Sequence, residues 1–454
     1  MMTLSDITRL FGKPAQQIQY ADESLVQGVS IDSRKVKPGQ LFVAICGQSF
    51  DGHNYIKQAV DQGAIAIVCS QAIPGITVPQ WVVSDTITAL ATMATFYRQQ
   101  HGCPVIALTG SNGKTTVKEM IAAILPQPSH STKGNLNNHI GVPLSVLALY
   151  PESRYAVFEL GANHLGEIAH CVAIVKPQVT LINNIAPAHV EGFGSIEGVA
   201  KAKGEIHQGL MAGGVAVIND DDAYAHYWDA HLEGKKILRF SVTKPTDVHA
   251  HSLTFNAEGC GRFQLVTPHG EAWVELKVPG PHNVSNALAA AACTTALHIS
   301  LPDIAAALSA FTGVAGRMTY RSGKHNAVII DDTYNANLRS TLAALDVLAQ
   351  RKGRRIFVFG DMGELGELSQ QHHQDVGLAA RSHGIDLLLT CGNHSRWATS
   401  AFGEVAQHYA AQDHLVQDLL TQLDEQTTVL VKGSRSSAME YVVSQLLAEA
   451  NTGG

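Results

Sequence analysis

Short apolar runs of strand length alternate with helical spacing along most of the chain. Gln40–Ile45 and Ala64–Cys69 read as strands around a short helix at Tyr55–Gln62, and Trp81–Val83 reads as one more strand. The pattern restarts with the helical stretch Ala89–Gln100. Strand-like runs follow at Val105–Leu108, Tyr155–Leu160, Val179–Ile185 and Val215–Ile218. Strand and helix in alternation predict a parallel sheet covered by helices. Leu253–Val278 departs from this: apolar and polar residues alternate around Gly259-Cys260-Gly261 and His269-Gly270, which predicts an antiparallel excursion. An alanine-rich helix is predicted at Asn283–Leu297. Beyond it, Val328–Ile330, Ile356–Phe359, Leu387–Leu389 and Val429–Val431 alternate with helical patterns at Ser340–Gln350, Gln371–Ser382 and Ser437–Ala448. No G-x-G-x-x-G follows the first strand of this last set, so a dinucleotide is not expected there.

At 454 residues the chain is too long for one ordinary core. The pattern predicts an α/β protein of three domains. These are a small N-terminal α/β domain over residues 1–84, a central parallel-sheet domain over 85–313, and a C-terminal Rossmann-like domain over 314–454. Apolar residues make up 45% of the chain and the formal charge is −7, which offers no attraction for nucleic acid or a membrane surface. Seven scattered cysteines form no C-x-x-C pair, so reduced thiols in a cytosol are expected. The start carries no secretory pattern and no run of about 18 apolar residues occurs, which predicts a cytoplasmic protein without membrane insertion. None of the 22 histidines stands in H-E-x-x-H spacing.

Chemistry concentrates at the ends of three predicted strands, where parallel sheets place their ligands. The first is Thr109-Gly110-Ser111-Asn112-Gly113-Lys114-Thr115-Thr116, a glycine-bearing turn that opens a helix at Lys114. Backbone N–H groups and a helix N-terminus suit phosphate, Lys114 suits its charge, and the Thr115 hydroxyl suits Mg²⁺. The usual P-loop glycine five places before Gly113 is Leu108, so the loop is a shortened variant, and the central parallel-sheet domain is expected to be a P-loop-type ATPase domain. The second end carries Glu159 after buried apolar residues, a costly place for a carboxylate unless it is paired or binds metal. The third runs Asn183–Gly194 and contains His189, either an ordinary loop histidine or a ligand for a second metal. On the helical stretch Ser195–Leu210, Lys201 and Lys203 face different ways. They form either a solvated charged face or include a buried, unprotonated amine open to CO₂. Gly134–Pro143 is rich in asparagine, and Asp32-Ser33-Arg34 and Phe50-Asp51-Gly52-His53 are polar turns in the first unit. All three are open to a binding role or an ordinary loop role.

Together these elements resemble the Mur ligases, ATP-dependent amide-bond enzymes of peptidoglycan precursor synthesis. The likeness spans nearly the whole chain in the family's three-domain order. It rests on Thr109–Thr115, Gly134–Pro143, Glu159–His164, His189–Gly194, Ala200–Ile206, His282–Asn286, Gly316-Arg317, Asp331–Asn337, Gly360–Gly366 and Lys432–Ser436. Ser111 stands where the family often has threonine. The resemblance implies a member that joins D-alanyl-D-alanine to UDP-N-acetylmuramoyl-tripeptide through an acyl phosphate, acting as a monomer. It implies that Lys114 and the loop amides hold ATP, and that Thr115 and Glu159 hold one Mg²⁺. His189 and an N-carboxylated Lys203 would hold a second. Asn283 and Asn286 would lie toward adenine, Arg317 toward the phosphates and Asp332 toward the ribose. Ser33, Arg34, Asp51, Gly52 and His53 would meet the uridine diphosphate, and Asn135, Asn137 and Asn138 the muramoyl-peptide. Tyr334, Asn335, Asn337, Lys432, Ser434 and Arg435 would help receive the dipeptide. Two rivals are a folylpolyglutamate synthetase-like ligase, which the amide-rich loop and separate first domain disfavour, and a P-loop switch, whose guanine-reading Asn-Lys-x-Asp is absent.

Overall fold

A computed structural model describes residues 2–15, 21–47, 50–186 and 190–448; His189 lies outside them. Among the described residues the strands form three sheets. The first contains β1 (Val29–Ser30), β2 (Leu41–Val43), β3 (Ala66–Cys69) and β4 (Gln80–Val82), in that order and all parallel. Side chains alternate across it with the two-residue period of a strand. Leu41, Val43, Ala66, Val68 and Trp81 join the core beneath the helix Thr86–Gln100. Phe42, Ala44, Ile67 and Cys69 pack instead with Ile56 and Ala59. The first of these cores continues into one face of the central sheet.

The central sheet holds β5 (Val105–Thr109), β6 (Ser129–Ser131), β7 (Tyr155–Glu159), β8 (Val179–Ile182), β9 (Val215–Asn219), β10 (Lys236–Ser241), β11 (Val248–Phe255), β12 (Cys260–Thr267) and β13 (Gly270–Pro279). Their order is β13-β12-β11-β10-β9-β8-β5-β7-β6. Pairing is parallel from β6 to β11 and antiparallel from β11 to β13. Every residue of β5 and β8 is buried, as expected where helices cover both faces. The antiparallel excursion therefore exists, but it begins with β11 at Val248, earlier than the alternation at Leu253 suggests. β6 (Ser-His-Ser) and the lysine-led β10 escape an apolar-run reading because packing, not hydrophobicity, places them in the sheet.

The third sheet holds β14 (Thr319–Ser322), β15 (Val328–Asp332), β16 (Arg354–Phe359), β17 (Leu387–Cys391), β18 (Ala406–Tyr409) and β19 (Thr427–Lys432). Its order is β14-β15-β19-β16-β17-β18, parallel except for β14 at one edge. The predicted helix Ser437–Ala448 is shorter, Glu440–Leu446, because Ala438 adopts a left-handed conformation (φ 47°) that ends the preceding turn. Tyr55–Gln62 likewise divides into a 3₁₀ turn, Gly52–Tyr55, and the helix Ile56–Asp61. No described helix is long and apolar enough to cross a membrane. No described cysteine forms a disulfide.

Candidate active site

β7, β5 and β8 are adjacent and parallel, with Leu108 opposite Glu159 and Thr109 opposite Ile182. Their carboxyl ends thus bring the phosphate loop, Glu159 and Asn183-Asn184 together. The loop leaves β5 and enters the helix Lys114–Ile124 through Gly113, whose φ of +77° suits glycine. A Cβ there would also stand 2.5 Å from Asn286 Oδ1. Ser111 Oγ donates to the Ala186 carbonyl at 2.9 Å, and the Asn112 amide donates to Asn184 Oδ1 at 2.9 Å. Asn183 Nδ2 donates to the Asn112 carbonyl (2.9 Å) and to Asn286 Oδ1 (3.1 Å). Asn286 in turn donates to Asn283 Oδ1 (3.0 Å), and Asn283 to the Pro279 carbonyl (2.7 Å). The two asparagines expected near adenine therefore also brace the loop.

Lys114 folds back over its own loop, Nζ donating to the Gly110 carbonyl at 2.7 Å. Burial lowers its ammonium pKa, the Glu159 carboxylate opposes this, and Arg317 adds to it. Glu159 is 2% exposed and both its oxygens are engaged. Thr115 Oγ1 donates to one at 2.8 Å and Asn137 Nδ2 to the other at 2.9 Å. Its backbone N–H donates to Thr132 Oγ1 at 3.0 Å. Asn138 uses its side-chain oxygen to accept from the Gly141 amide at 2.8 Å, so that part of the side chain shapes the loop.

The lysine pair separates cleanly. Ser195 caps the helix Ile196–Gly204, on which Lys201 is exposed and Lys203 is 2% exposed and lines the cleft. The solvated-face reading therefore holds for Lys201 and fails for Lys203. Burial depresses the Lys203 amine well below its ordinary pKa, and the nearby Lys114 charge adds to the effect.

The C-terminal unit closes over this site. Arg317 Nη2 donates to Thr115 Oγ1 at 2.8 Å while its guanidinium lies 4.0 Å from the Tyr334 ring centroid. Asn337 Nδ2 donates to Asn112 Oδ1 at 2.7 Å, and Arg339 Nη1 to the Ile185 carbonyl at 3.2 Å. Asp332 pairs with the buried Lys432 at 2.5 Å and accepts from the Met318 amide at 3.1 Å, while Lys432 also donates to the Asn335 carbonyl at 2.9 Å. The result is a cleft of about 1050 Å³. Ser111–Thr116, Asn135, Asn137, Asn138, Glu159, Lys203, Asn283, Asn286, Arg317, Asp332, Tyr334, Asn335, Asn337, Lys432 and Arg435 all line it. Thr109, the buried last residue of β5, and Gly110 after it do not line the cleft; they lead into the loop that does. Ser434 is buried, within hydrogen-bonding distance of Ser436 and Ser437.

Ser33, Arg34, Asp51, Gly52 and His53 do not line this cleft. They gather at the carboxyl ends of the first sheet, where Ser33 donates to Gln58 Oε1 (2.8 Å) and Arg34 forks onto Asp32 (2.9 Å for each contact). Gly52 is buried, and a Cβ on it would meet the Ile45 carbonyl oxygen at 2.7 Å, so close backbone approach accounts for the glycine. Cleft residues given no site role from the sequence include His282, whose pKa burial lowers against the pull of Asp332, and Arg339. Asn183 and Asn184 had the same signal as Glu159, polar groups directly after a buried run. Arg339 had none.

Three family descriptions match the chain in order. They are the Mur ligase family catalytic domain at residues 25–104, the Mur ligase middle domain at 108–294, and the Mur ligase glutamate ligase domain at 316–435. The UDP-N-acetylmuramoyl-tripeptide--D-alanyl-D-alanine ligase of Escherichia coli K12 is 45% identical over 98% of both chains. The chain belongs to the Mur ligase family. Among solved structures of the family, MurF from Acinetobacter baumannii is similar with a TM-score of 0.90 and 35% identity over 98% of each chain. MurF from Thermotoga maritima in complex with ADP gives 0.80 at 26% identity, covering 94% of this chain and 98% of that one. The middle-domain match contains the phosphate loop, Glu159 and Lys203, and the glutamate-ligase match contains Arg317, Asp332 and Lys432. The Mur ligase cleft described above is thus built by two matched domains.

Proposed function

We propose that this Mur ligase uses ATP to join D-alanyl-D-alanine to the peptide carboxylate of UDP-N-acetylmuramoyl-tripeptide. The step belongs to peptidoglycan precursor synthesis, and so to cell-wall growth, shape and division. The carrying observation is the end-to-end likeness to ligases of that name, joined to one cleft that holds Lys114, Thr115, Glu159 and Lys203. The ADP-bound Thermotoga relative supports ATP as the nucleotide.

In this reading the peptide carboxylate attacks the γ-phosphate of ATP and ADP leaves. The free amine of the dipeptide then attacks the acyl phosphate, and phosphate departs as the amide forms. Lys114 swings from the loop carbonyls to the phosphates and offsets their charge as the carboxylate approaches. The helix N-terminus and the loop amides orient the phosphate chain. Arg317, reaching in from the C-terminal unit, adds a second cation. The cross-domain contacts of Arg317, Asn337 and Arg339 would hold the domains together and keep out the water that would otherwise hydrolyse an acyl phosphate.

The donor chemistry fits Mg²⁺, because the Thr115 hydroxyl and the Glu159 carboxylate stand 2.8 Å apart at the loop and Mg²⁺ prefers oxygen ligands. Those two would hold one ion, and His189 with an N-carboxylated Lys203 would hold a second. Bound ions neutralise charge on the phosphates. Burial, which pushes the Lys203 amine well below its ordinary pKa, suits carboxylation, which needs a neutral nitrogen. The polar turns of the first unit would take the uridine diphosphate. Asn135, Asn137 and Asn138 would take the muramoyl-peptide, and the loops Tyr334–Asn337 and Lys432–Arg435 the dipeptide. Residues 1–84, 85–313 and 314–454 would serve as three working domains of a cytoplasmic monomer that handles small molecules and not nucleic acid. The deciding assay is phosphate release from ATP with UDP-N-acetylmuramoyl-tripeptide, with and without D-alanyl-D-alanine. Release that requires both acceptors is expected; release indifferent to both overturns the ligase reading.

A further inference from the structure

Among the described residues, the carboxylates that line the cleft are Glu159, Glu167, Asp332 and Glu364. Glu159 and Glu167 stand on the central side, and Asp332 is buried against Lys432. Glu364 is different: it comes from the C-terminal wall, it is exposed, and the phosphoryl chemistry gives it no task. Its φ is 60°, in the left-handed region that a long side chain rarely adopts. Such a conformation persists only where the surroundings hold it, and held positions of this kind gather at ligand sites.

The surroundings do hold it. The segment leaves β16 and is pinned at two successive residues. The Asp361 carboxylate accepts from the amides of Asn393, His394 and Ser395 at 2.9, 3.0 and 2.7 Å. The Met362 amide donates to Nε2 of the fully buried His373 at 3.0 Å. The same segment is tied to the loop after β19. Phe359 pairs with Lys432, and the Gly360 amide donates to the Lys432 carbonyl and the Ser434 amide to the Asp361 carbonyl, each at 2.8 Å. Arg435, on that second loop, also lines the cleft. One wall thus presents a carboxylate and a guanidinium from two joined loops. Elsewhere Lys114, Arg317 and Arg339 make the cleft cationic, which suits phosphate. A carboxylate suits a cation instead, and a free dipeptide carries an ammonium at one end and a carboxylate at the other.

We propose that Glu364 binds the ammonium of the incoming dipeptide and so decides which end of it faces the acyl phosphate, with Arg435 toward its carboxylate. The inference rests on the reading that the chain takes D-alanyl-D-alanine as its amine substrate.

Steady-state kinetics of the full chain with two ligands test it: D-alanyl-D-alanine, and D-lactoyl-D-alanine as an inhibitor in which a hydroxyl replaces the ammonium. Glu364→Gln should raise KM for D-alanyl-D-alanine about tenfold, the worth of a charge-assisted hydrogen bond, and leave KM for ATP and for the nucleotide-sugar unchanged. Inhibition by D-lactoyl-D-alanine should change less than about twofold, because that ligand has no ammonium to lose contact with. Glu364→Gly, which suits the left-handed turn, should lose the same preference while melting no lower than wild type. An unchanged dipeptide KM in Glu364→Gln overturns the proposal, as do equal losses for the two ligands. A loss confined to the nucleotide-sugar overturns it too, because Glu364 would then face that substrate's peptide. A Glu364→Gly chain that melts well below wild type makes the residue structural and overturns it as well. A wild-type chain that binds ATP and the nucleotide-sugar but forms no amide with D-alanyl-D-alanine overturns the dipeptide reading itself, and this inference with it.

Discussion

The central cleft and the edge of the first sheet obey one rule with opposite outcomes. Both place polar groups beyond the carboxyl ends of parallel strands. In the center, the groups come from three strand ends and a second domain, and Glu159 and Lys203 are each 2% exposed. At the first sheet's edge, Arg34 and Ser70 face solvent and the neighbouring side chains bond mainly to each other. The contrast follows from what each place must do. Moving a phosphoryl group needs strong fields and no water, which only a buried site provides. Holding a nucleotide-sugar needs selective hydrogen bonds, which a wet surface can supply.

The comparison breaks most sharply at Lys114. Lys114→Ala should cut turnover by about 10³-fold or more, measured as phosphate release, because nothing else in the loop carries its charge. A variant retaining a tenth or more of the rate would remove the central premise. Next comes Lys203→Ala, expected to lose about 10²-fold, with partial recovery on adding acetate or formate if a carboxylate is what the site needs. Full activity without rescue would return Lys203 to an ordinary buried amine.

Acid should separate the two regions by stability. His207 is buried beside Trp228, with Nδ1 2.9 Å from Thr180 Oγ1, and burial pushes its pKa from 6.5 down to about 3. The unfolded chain then binds the extra proton first. Stability from this group is complete above pH 6.5 and falls as pH drops toward 3, by up to about 1.4 kcal/mol per pH unit. His207→Gln should flatten that slope in urea melts taken across the window. In the first unit, the Arg34 guanidinium holds the Asp32 carboxyl down at about 2 from 3.8. Its contribution is present above 3.8 and is lost only as pH falls through 2. The smallest effect is expected at Arg34→Ala, which should leave the melting temperature unchanged and raise KM for the nucleotide-sugar only severalfold, since exposed ion pairs add little to folding. A collapse of stability in that variant would erase the difference between the regions.

Particular residues mark how far reading the chain could go. The phosphate loop was legible because a buried strand, a glycine turn and a helix start are contiguous, so local physics determines all three. Glu159 was legible because a carboxylate closing an apolar run is anomalous on its own. The polar strands β6 and β10 were not, because they pair through backbone groups that every residue carries. Nor could spacing choose between Lys201 and Lys203; it showed only that they face different ways. Which of the two is buried depends on how helix Ile196–Gly204 packs, and its covered side carries Lys203. His53 looked like a ligand contact from its turn, and only its two neighbours, Asp51 and Ser70, revealed that its nitrogens are engaged.

The chain by itself therefore determined the order of domains, the phosphate loop and the family likeness, since these depend on residues close in sequence or on a pattern spread along its length. The tertiary structure decided which groups meet. Arg317 reaches Thr115 across 202 residues, and Asn337 reaches Asn112 across 225. It also decided which amine is buried and has its pKa lowered, because desolvation depends on everything packed around a side chain and not on its neighbours in the chain.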